Sequence, residues 1–556
     1  MAVATWTVAT PHVAAQPDVK ATHGVVVCVS PRASNVGLVV LRRGGTAVDA
    51  SVATAFTLAV TWPEAGNIGG GGFMMIHSGG GKEPVCVDYR ETAPAASTEK
   101  MFVKQTDRHN HRLVGVPGTV RGLALAHSRY GKLPWRDLLA GPIKLAGEGF
   151  EVDETLARGL NSILASSKRH KELQRVYGKP DGSAWKAGDR LVQPDLAATL
   201  RRIAERGADE FYTGKTAELL AAEMKAGGGI ITMDDLAGYR AKVRRPIHGT
   251  FRGHDVYGPP PPSSGGICLV QMLNVLERFP LRRQGRYSPE TLHVLIETMR
   301  RSFRDRAMHL GDADFVKIPK HLTTKKYAAK LAASIDLKRA TNSESLAGEI
   351  RLAPESESTT HFSVIDRAGM AVSNTYTLEQ SYGSRVVVRG AGFLLNNEMG
   401  DFNWRPGHTD RQGRIGTPAN RIVPGKRMLS SQCPVIVAKG GRPVLITGSP
   451  GGRTIINTSL CIVLNVLEFQ MPLERAVRAP RIHHPWFPDQ VRFEGVKLDA
   501  HTAAVKQLRS IGHKIDPAAR KQGDAHSIRV VDVDGHREYR GVADRRRRPS
   551  ARAVGY

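Results

Sequence analysis

The chain is organised around the stretch Ser358-Thr359-Thr360-His361-Phe362-Ser363-Val364. Thr360, Phe362 and Val364 fall on one face of an extended chain, and the residues between them fall on the other. This alternation predicts a β-strand. The segment before it, Arg339–Ser358, is polar and has no apolar periodicity. It predicts an exposed strap, where a break in the backbone is tolerated.

A second strand is expected directly after the first. Residues 366–369 have the composition of a turn, and residues 371–378 predict the returning strand. Pairing across the turn brings Thr359 opposite Tyr376 or Thr377, depending on a one-residue bulge. Two threonine hydroxyls would then lie side by side. Threonine pairs are ordinary stabilisers of sheets, so the hairpin alone does not indicate catalysis.

The residues around this hairpin resemble one enzyme family. Its motif reads Thr359-Thr360-His361-x-Ser363-Val364, then Gly369, Val372-Ser373, Thr375-x-Thr377-Leu378-Glu379 and Tyr382-Gly383. This is similar to the signature of the γ-glutamyltransferase (γ-glutamyltranspeptidase) family of N-terminal-nucleophile hydrolases, which cleave their own precursor just before such a threonine. Met370 departs from the family pattern, which usually has Asn or Ser there. Short sequence segments that resemble this family occur from about Gly24 to Tyr556.

The resemblance implies an α+β fold, the four-layer αββα sandwich of the N-terminal-nucleophile hydrolases. It implies cleavage between Ser358 and Thr359 into a large subunit, 24–358, and a small subunit, 359–556, which remain associated as one interwoven unit. Residues 1–23 are assigned to an export-signal remnant or a disordered arm: residues 1–16 are rich in Ala and Val, as at the end of an export signal, but they lack its basic start and a clean apolar core. The compartment stays open: periplasmic or secreted if the start is truncated, otherwise cytoplasmic.

Cleavage before Thr359 would give this residue its own α-amino group. An α-amine has a reference pKa of ~7.7–8, so it can accept the Oγ proton near neutral pH without a histidine. The resemblance gives Thr377 the role of orienting the nucleophile. His361 is the alternative base, but strand alternation does not aim its ring at the hydroxyl.

A candidate oxyanion site follows a predicted buried strand, 444–447. Two glycines at the start of the next predicted helix, 455–469, would expose backbone N–H groups at its positive end. The family's oxyanion pair falls on Gly451 and Gly452. Without the resemblance to the family, the sequence Ser-Pro-Gly-Gly would indicate only a turn.

The remaining site residues come from the resemblance and suit an amino-acid group. Arg90 matches the arginine that binds the substrate's α-carboxylate, which a guanidinium holds through two parallel hydrogen bonds. Ser430 and Ser431 match residues that help to hold the same carboxylate. Three carboxylates would contact the substrate's α-ammonium: Glu379, Glu398 and Asp401. They would also disfavour binding of a dicarboxylate that lacks the amine. Residues 404–423 resemble a lid loop.

Composition limits the alternatives. The 556 residues carry a net charge of +27, yet the basic residues are dispersed, and only Arg545–Arg548 forms a run. Few aromatic residues accompany them, so a solvated basic surface is favoured over nucleic-acid binding. The five cysteines are far apart and predict buried thiols. No apolar segment reaches the length of a membrane span.

The implied activity is cleavage of γ-glutamyl amides, with glutathione as the expected donor, through a γ-glutamyl-threonine intermediate. The group then passes to water, an amino acid or a peptide. No metal or cofactor is expected, since His483-His484 has no third ligand in the sequence pattern. A related acylase acting on glutaryl or polyglutamyl amides is one alternative. An inactive polyanion-binding protein is another, and salt-sensitive DNA binding without chain cleavage would favour it.

Overall fold

The computed structural model of the chain describes residues 18–347, 359–412 and 414–556. The predicted hairpin is confirmed: strands Thr360–Ile365 and Ala371–Thr377 pair antiparallel, with Thr360 opposite Tyr376. Thr359, one residue earlier, is therefore level with Thr377. The predicted cut after Ser358 and most of the strap, 348–358, lie outside the described residues. Ser343, in the described part of the strap, is buried, so the expectation of an exposed strap is wrong at that position.

The structure divides the described residues into short elements, named here in chain order. The strands are β1 Asp18–Ala21, β2 Val25–Cys28, β3 Gly71–His77, β4 Val85–Asp88, β5 Phe150–Glu151, β6 Arg190–Leu191, β7 Lys242–Arg244, β8 Ile247–Phe251, β9 His254–Gly258, β10 Thr360–Ile365, β11 Ala371–Thr377, β12 Val435–Lys439, β13 Arg442–Thr447, β14 Ile482–His483, β15 Arg492–Phe493, β16 Ser527–Val533, β17 His536–Val542 and β18 Arg552–Gly555.

The α-helices in the same described ranges are α1 Pro31–Arg42, α2 Ala47–Thr61, α3 Thr119–Tyr130, α4 Trp135–Glu148, α5 Glu154–Ser166, α6 Lys171–Tyr177, α7 Pro194–Arg206, α8 Asp209–Thr213, α9 Lys215–Ala226, α10 Met233–Gly238, α11 Gly265–Leu276, α12 Leu281–Gln284, α13 Pro289–His309, α14 Lys325–Ala333, α15 Thr454–Leu467, α16 Leu473–Arg478 and α17 Thr502–Ser510. None of these helices combines the length and hydropathy of a membrane span.

Two seven-stranded antiparallel sheets form the centre of the molecule. One has the order β1-β17-β16-β13-β12-β9-β8 and the other β18-β2-β10-β11-β3-β4-β7. The hairpin β10–β11 therefore lies in the middle of the second sheet, between β2 and β3. A central position keeps both strands hydrogen-bonded on both sides, which fixes the two threonines at their ends.

Three apolar cores define the layers. Between the sheets, side chains such as Phe73 and Ile365 pack with Ile436, Ile446 and Ile528 of the opposite sheet. A second core joins the outer face of the hairpin sheet to α1–α10. A third joins the other sheet to α11–α13 and α15–α17. The order helix, sheet, sheet, helix is the predicted four-layer αββα sandwich, and the fold class is confirmed.

Glycines 69–72 let β3 approach β11 closely. A Cβ built on Gly72 would lie 2.5 Å from the Cβ of Tyr376, and one on Gly70 would lie 2.0 Å from the carbonyl oxygen of Thr377. Real Cβ atoms do not approach neighbours so closely. The strand carrying Thr377 is thus packed directly against glycine backbone.

Two expectations about the termini and the charge need correction. Residues 18–21 form β1, which pairs with β17, so the ordered sheet extends into the segment 1–23 that the sequence assigned to an arm.

The basic residues are also less solvated than expected. Arg300, Arg301 and Arg548 are buried and paired with carboxylates. All five cysteines are buried and free, as predicted.

Candidate active site

One cavity brings together nine of the ten residues that the sequence assigned to the site. The nine are Arg90, Thr359, Thr377, Glu379, Glu398, Asp401, Ser430, Ser431 and Gly452. Gly451, the tenth, is not among the lining residues. The cavity therefore holds the candidate nucleophile, the candidate carboxylate-binding residues and the candidate ammonium-binding residues within one small space.

The two threonines stand at the ends of the paired central strands. Thr359 precedes β10, is 7% exposed and lines the cavity. The side chain of Thr377 accepts a hydrogen bond from the backbone N–H of Glu379 at 2.8 Å. Its carbonyl oxygen accepts one from Nδ2 of Asn67 at 2.9 Å. These bonds fix the side chain and the backbone of Thr377 at the end of β11.

His361, the alternative base, is occupied elsewhere. Its ring nitrogens lie 2.9 Å from Oγ1 of Thr375 and 3.1 Å from Oγ of Ser363. It does not line the cavity. Burial, with the neighbouring His526, holds the pKa of His361 well below its usual range. A neutral imidazole bound inside the sheet supports the packing role.

Arg90 is fully buried and is surrounded by carboxylates. Its guanidinium nitrogens lie 2.7 Å from Glu398, 2.5 Å from Asp401 and 3.4 Å from Glu91. Burial alone would lower the pKa of Arg90, but these carboxylates raise it overall. The residues expected to bind the substrate's two opposite charges are therefore paired with each other here.

The acids of this cluster are hard to ionise because several share one guanidinium. Burial raises the pKa of Glu91 to about 7, although Arg90 opposes the change. Burial also raises the pKa of Glu398 well above its usual value, and the carboxylates of Glu91, Asp401 and Glu379 add to the effect. Like charges in a desolvated site disfavour simultaneous ionisation.

Glu379 adopts an unusual backbone conformation at the cavity wall. Its φ of 77° lies in the left-handed region, which costs a residue with a Cβ about 1 kcal/mol or more. The residue is 5% exposed. Such strain persists only where the surrounding structure enforces it, and here it turns the carboxylate towards the cavity.

Ser430 and Ser431 are held by the predicted proline–serine turn and by α13. The N–H and Oγ of Ser264 both donate to the carbonyl oxygen of Ser430, at 2.8 and 2.7 Å. Arg306 donates to Oγ of Ser264 and to Oγ of Ser431, both at 2.9 Å. The turn at residues 259–264 thus positions the serine pair.

The glycine pair lies just before the helix, which begins one residue earlier than the sequence predicted. Helix α15 begins at Thr454, and Arg453 is its N-cap. Gly451 and Gly452 precede it with φ values of 128° and 54°. Both values favour glycine, and a Cβ on Gly451 would lie 2.5 Å from Oγ1 of Thr454. The pair forms a strained turn leading into the helix, not its first turn.

Comparison with known proteins identifies the relationship. The family model described as Gamma-glutamyltranspeptidase matches residues 33–554. The chain belongs to this family. The Glutathione hydrolase proenzyme of Escherichia coli (strain K12) is 43% identical over 541 residues, covering 95% of this chain and 91% of that protein. The Acylase ACY 1 proenzyme of Pseudomonas sp. (strain SE83) is 36% identical over 533 residues, covering 92% and 91%.

A solved structure extends this similarity to the fold. The crystal structure of cephalosporin acylase from Bacillus halodurans matches with a TM-score of 0.85 at 26% identity, covering 100% of this chain and 99% of that one. Proteins similar to this chain are therefore named either glutathione hydrolase or acylase. These are the two enzyme activities that the sequence analysis kept as alternatives.

Sequence reasoning missed several residues of this γ-glutamyltranspeptidase family cavity. The missed lining residues are Arg306, Gln432, Arg453 and Ile455. Arg306 comes from a helix with four arginines in seven residues, 300–306, which the sequence analysis treated as a solvated face. Arg453 and Ile455 follow the glycine pair directly, so proximity in sequence was the available signal.

Two histidine clusters of this family member bear on metal binding. His483 and His484 are satisfied by Asn457 at 2.7 Å and Asp489 at 3.2 Å. Elsewhere, ligand atoms of His293, Glu297 and His513 lie within 4.8 Å of one another. In that second cluster, His293 and His513 are hydrogen-bonded at 2.7 Å, and Glu297 is paired with Arg300 and Arg301. Two cations beside Glu297 oppose a bound metal ion.

Proposed function

We propose that the chain is a self-processing γ-glutamyltransferase that cleaves γ-glutamyl amides, with glutathione as its expected donor. One observation carries the proposal. Thr359, at the end of a central strand, lines the same cavity as Arg90 and three carboxylates. A nucleophile, a carboxylate-binding cation and ammonium-binding anions within one space suit a substrate that carries an amino-acid group.

The first step is cleavage of the chain itself. Oγ of Thr359 attacks the carbonyl carbon of Ser358, and the bond from that carbon to the nitrogen of Thr359 breaks. The nitrogen takes up the proton and becomes an α-amine, while Ser358 remains as an ester on Oγ until water hydrolyses it. The two subunits, 24–358 and 359–556, stay together because β10 and β11 lie between β2 and β3 of the large subunit.

Substrate binding then exchanges one ion pair for another. In the ligand-free site, Arg90 contacts Asp401 and Glu398. An α-amino acid group offers a carboxylate to Arg90 and an ammonium to the acids, so the charges stay balanced when it enters. Ser430 and Ser431 would add hydroxyl donors to the substrate's carboxylate. Buried charges are tolerated when each has a partner of the opposite sign.

The transfer reaction uses the new α-amine as the base. It accepts the proton from Oγ as the oxygen attacks the γ-carbonyl. Thr377 orients Oγ through a hydrogen bond, and the backbone N–H groups of Gly451 and Gly452 stabilise the oxyanion. One oxyanion donor is typically worth ~2.7–4 kcal/mol. The leaving amine receives the proton, and water, an amino acid or a peptide later releases the γ-glutamyl group.

The acylase alternative is weakened by the acids around Arg90. A glutaryl group has no ammonium, so Asp401 and Glu379 would face its aliphatic chain without the cation they are placed to bind. Donors with and without the amine therefore separate the two functions. A γ-glutamyl anilide should be cleaved, and the matching glutaryl anilide should be cleaved at least about tenfold more slowly.

The processing step is tested by intact-mass analysis of the purified protein. We expect two polypeptides, the smaller one beginning at Thr359. Thr359→Ala should remain one polypeptide and be inactive, whereas Thr359→Ser keeps a hydroxyl and should still be cut. An uncut protein that releases glutamate from a γ-glutamyl anilide would contradict the proposal.

A further inference from the structure

A cavity of about 500 Å³ is separate from the candidate active site. None of the described residues that line it also lines the active-site cavity. Part of its wall comes from the segment 169–175, around α6, and another part comes from the segment 385–389. These two segments lie on opposite sides of the proposed cut after Ser358. Both predicted polypeptides therefore contribute to this cavity.

The acids that line this cavity are already paired with arginines. Glu172 lies 2.5 Å from Arg175, which also contacts Asp195. Glu223 lies 2.6 Å from Arg389. A carboxylate held by a guanidinium has little charge left to offer another cation. Neither acid is therefore available to the other basic residues of the lining.

Arg385 is a lining cation without an anionic partner. Its Nη1 donates to the carbonyl oxygen of Ser166 at 3.0 Å, whereas its Nε is buried and has no hydrogen-bond partner among the described residues. None of their carboxylates lies within ion-pair distance of Arg385 or of Lys171, which lines the same cavity. The φ of Arg385 is 63°, in the left-handed region, so the surrounding structure enforces its conformation. A buried donor left unpaired is costly, and an anion would remove that cost.

The electrostatic field in this part of the molecule is positive. Burial lowers the pKa of Arg385, and the charge of Arg169 adds to the effect, although Asp107 opposes it. Burial also lowers the pKa of His170, where a hydrogen bond to a backbone carbonyl opposes the change and the charges of Arg169 and Arg385 add to it. Basic groups that lower one another's pKa are stabilised when an anion binds between them.

We propose that this cavity binds a small organic phosphate, with Arg385 and Lys171 as its main contacts. A phosphate dianion presents three acceptor oxygens in different directions, which suits cations from two separate segments, whereas a single guanidinium fork already matches a carboxylate. The cavity is larger than a phosphate group, and Leu173, Val386 and Val387 give it apolar walls. An organic group attached to the phosphate would pack against them. The inference does not rest on the proposed function, because it needs no reaction at the nucleophile.

Calorimetric titration at pH 8, where a phosphate monoester is a dianion, tests this site. Phenyl phosphate is the probe, and inorganic phosphate and phenol represent its two halves. We expect phenyl phosphate to bind at least about tenfold more tightly than inorganic phosphate, because its ring is buried, and phenol to show no binding. Arg385→Gln should weaken the binding of phenyl phosphate by at least about tenfold, and Arg385→Lys should keep part of the affinity. Lys171→Gln, at an exposed position where folding is not at risk, should weaken it by roughly threefold.

Arg158→Gln is the matched control. Arg158 is exposed on α5, the helix before α6, and does not line the cavity. The substitution removes one positive charge from this region, so it should leave the affinity for phenyl phosphate within about twofold. Equal weakening by Arg385→Gln and Arg158→Gln would mean that the basic chain attracts anions without a site, and it would overturn the proposal. Equal affinities for phenyl phosphate and inorganic phosphate would overturn the assignment to an organic phosphate.

Discussion

Replacing Gly70 by alanine is expected to displace Thr377 and to slow self-cleavage. The added methyl carbon would lie 2.0 Å from the carbonyl oxygen of Thr377 and 2.8 Å from Oδ1 of Asn67. Ordinary contact begins at 3.4 Å, so the carbonyl must move by more than 1 Å. Both obstacles belong to one motif, because Asn67 donates to that carbonyl and accepts from the N–H of Gly70. The methyl group would force the Asn67 side chain and the carbonyl oxygen of Thr377 away from Gly70.

The cost follows from the contacts that must break. Overpacking a filled interior costs about 1–3 kcal/mol, and a buried carbonyl that loses its hydrogen bond adds about 1–3 kcal/mol. We therefore expect Gly70→Ala to lower the free energy of unfolding by roughly 2–5 kcal/mol. Since Thr377 is proposed to orient the nucleophile, a shift of ~1 Å should also slow the reaction by roughly 100-fold.

Gly238→Ala provides the control for this change. Gly238 ends α10, and a Cβ there would meet nothing within 4 Å, so alanine should leave stability and processing nearly unchanged. Thermal unfolding and the rate of appearance of the smaller polypeptide measure both effects. If Gly70→Ala is cut at the normal rate and unfolds at the normal temperature, the packing argument for Thr377 is wrong.

Two further predictions concern buried charges. The raised pKa of Glu91, about 7 against an ordinary 4.5, makes its contribution to stability fully present below pH 4.5 and lost as pH rises through 7. Glu91→Gln should therefore show a smaller fall in unfolding temperature between pH 5 and pH 8, and parallel curves would contradict this. Arg481 and Asp544 form a buried pair at 2.5 Å. Arg481→Met should cost about 3 kcal/mol, because Asp544 keeps only Arg546 as a cationic partner and the carbonyl oxygens of Gln522 and Val477 lose buried hydrogen bonds. Arg43→Met, which removes an exposed pair, should cost less than about 1 kcal/mol, and equal effects on unfolding temperature would refute the distinction.

The sequence predicted the backbone of the site well because local rules control it. Alternation and a four-residue turn determine which face Phe362 occupies and which residue lies opposite Thr359. Glycines that remove a Cβ at a close approach are also visible in a sequence, as the run at 69–72 shows. The start of helix α15 was predicted to within one residue, at 455 against the observed Thr454, and the Gly-Gly pair with positive φ values forms the turn before it.

Long-range pairing of charged groups could not be predicted in the same way. Arg90 and Asp401 are more than 300 residues apart, and nothing local reveals that they contact each other. The arginines of α13 were read as solvated because arginine is usually exposed, yet Arg300 and Arg301 meet Glu297 of their own helix within the core. The Arg90–Asp401 contact depends on which elements the fold brings together, and a single sequence carries that information only through resemblance. Glu297 is only three and four residues from Arg300 and Arg301, so what the sequence did not show there is that this face of the helix is buried.

The pairing of Arg90 with the acids also bears on substrate selection. Arg90 and Asp401 would be uncompensated buried charges if they stood apart, whereas the observed contact neutralises both. A ligand must therefore replace both partners at once. A monoamine would leave Arg90 unpaired, and a dicarboxylate would leave the acids unpaired. Only a group that carries a carboxylate and an ammonium at the spacing of an α-amino acid compensates both Arg90 and the acids. Selectivity then arises from the cost of breaking an existing ion pair.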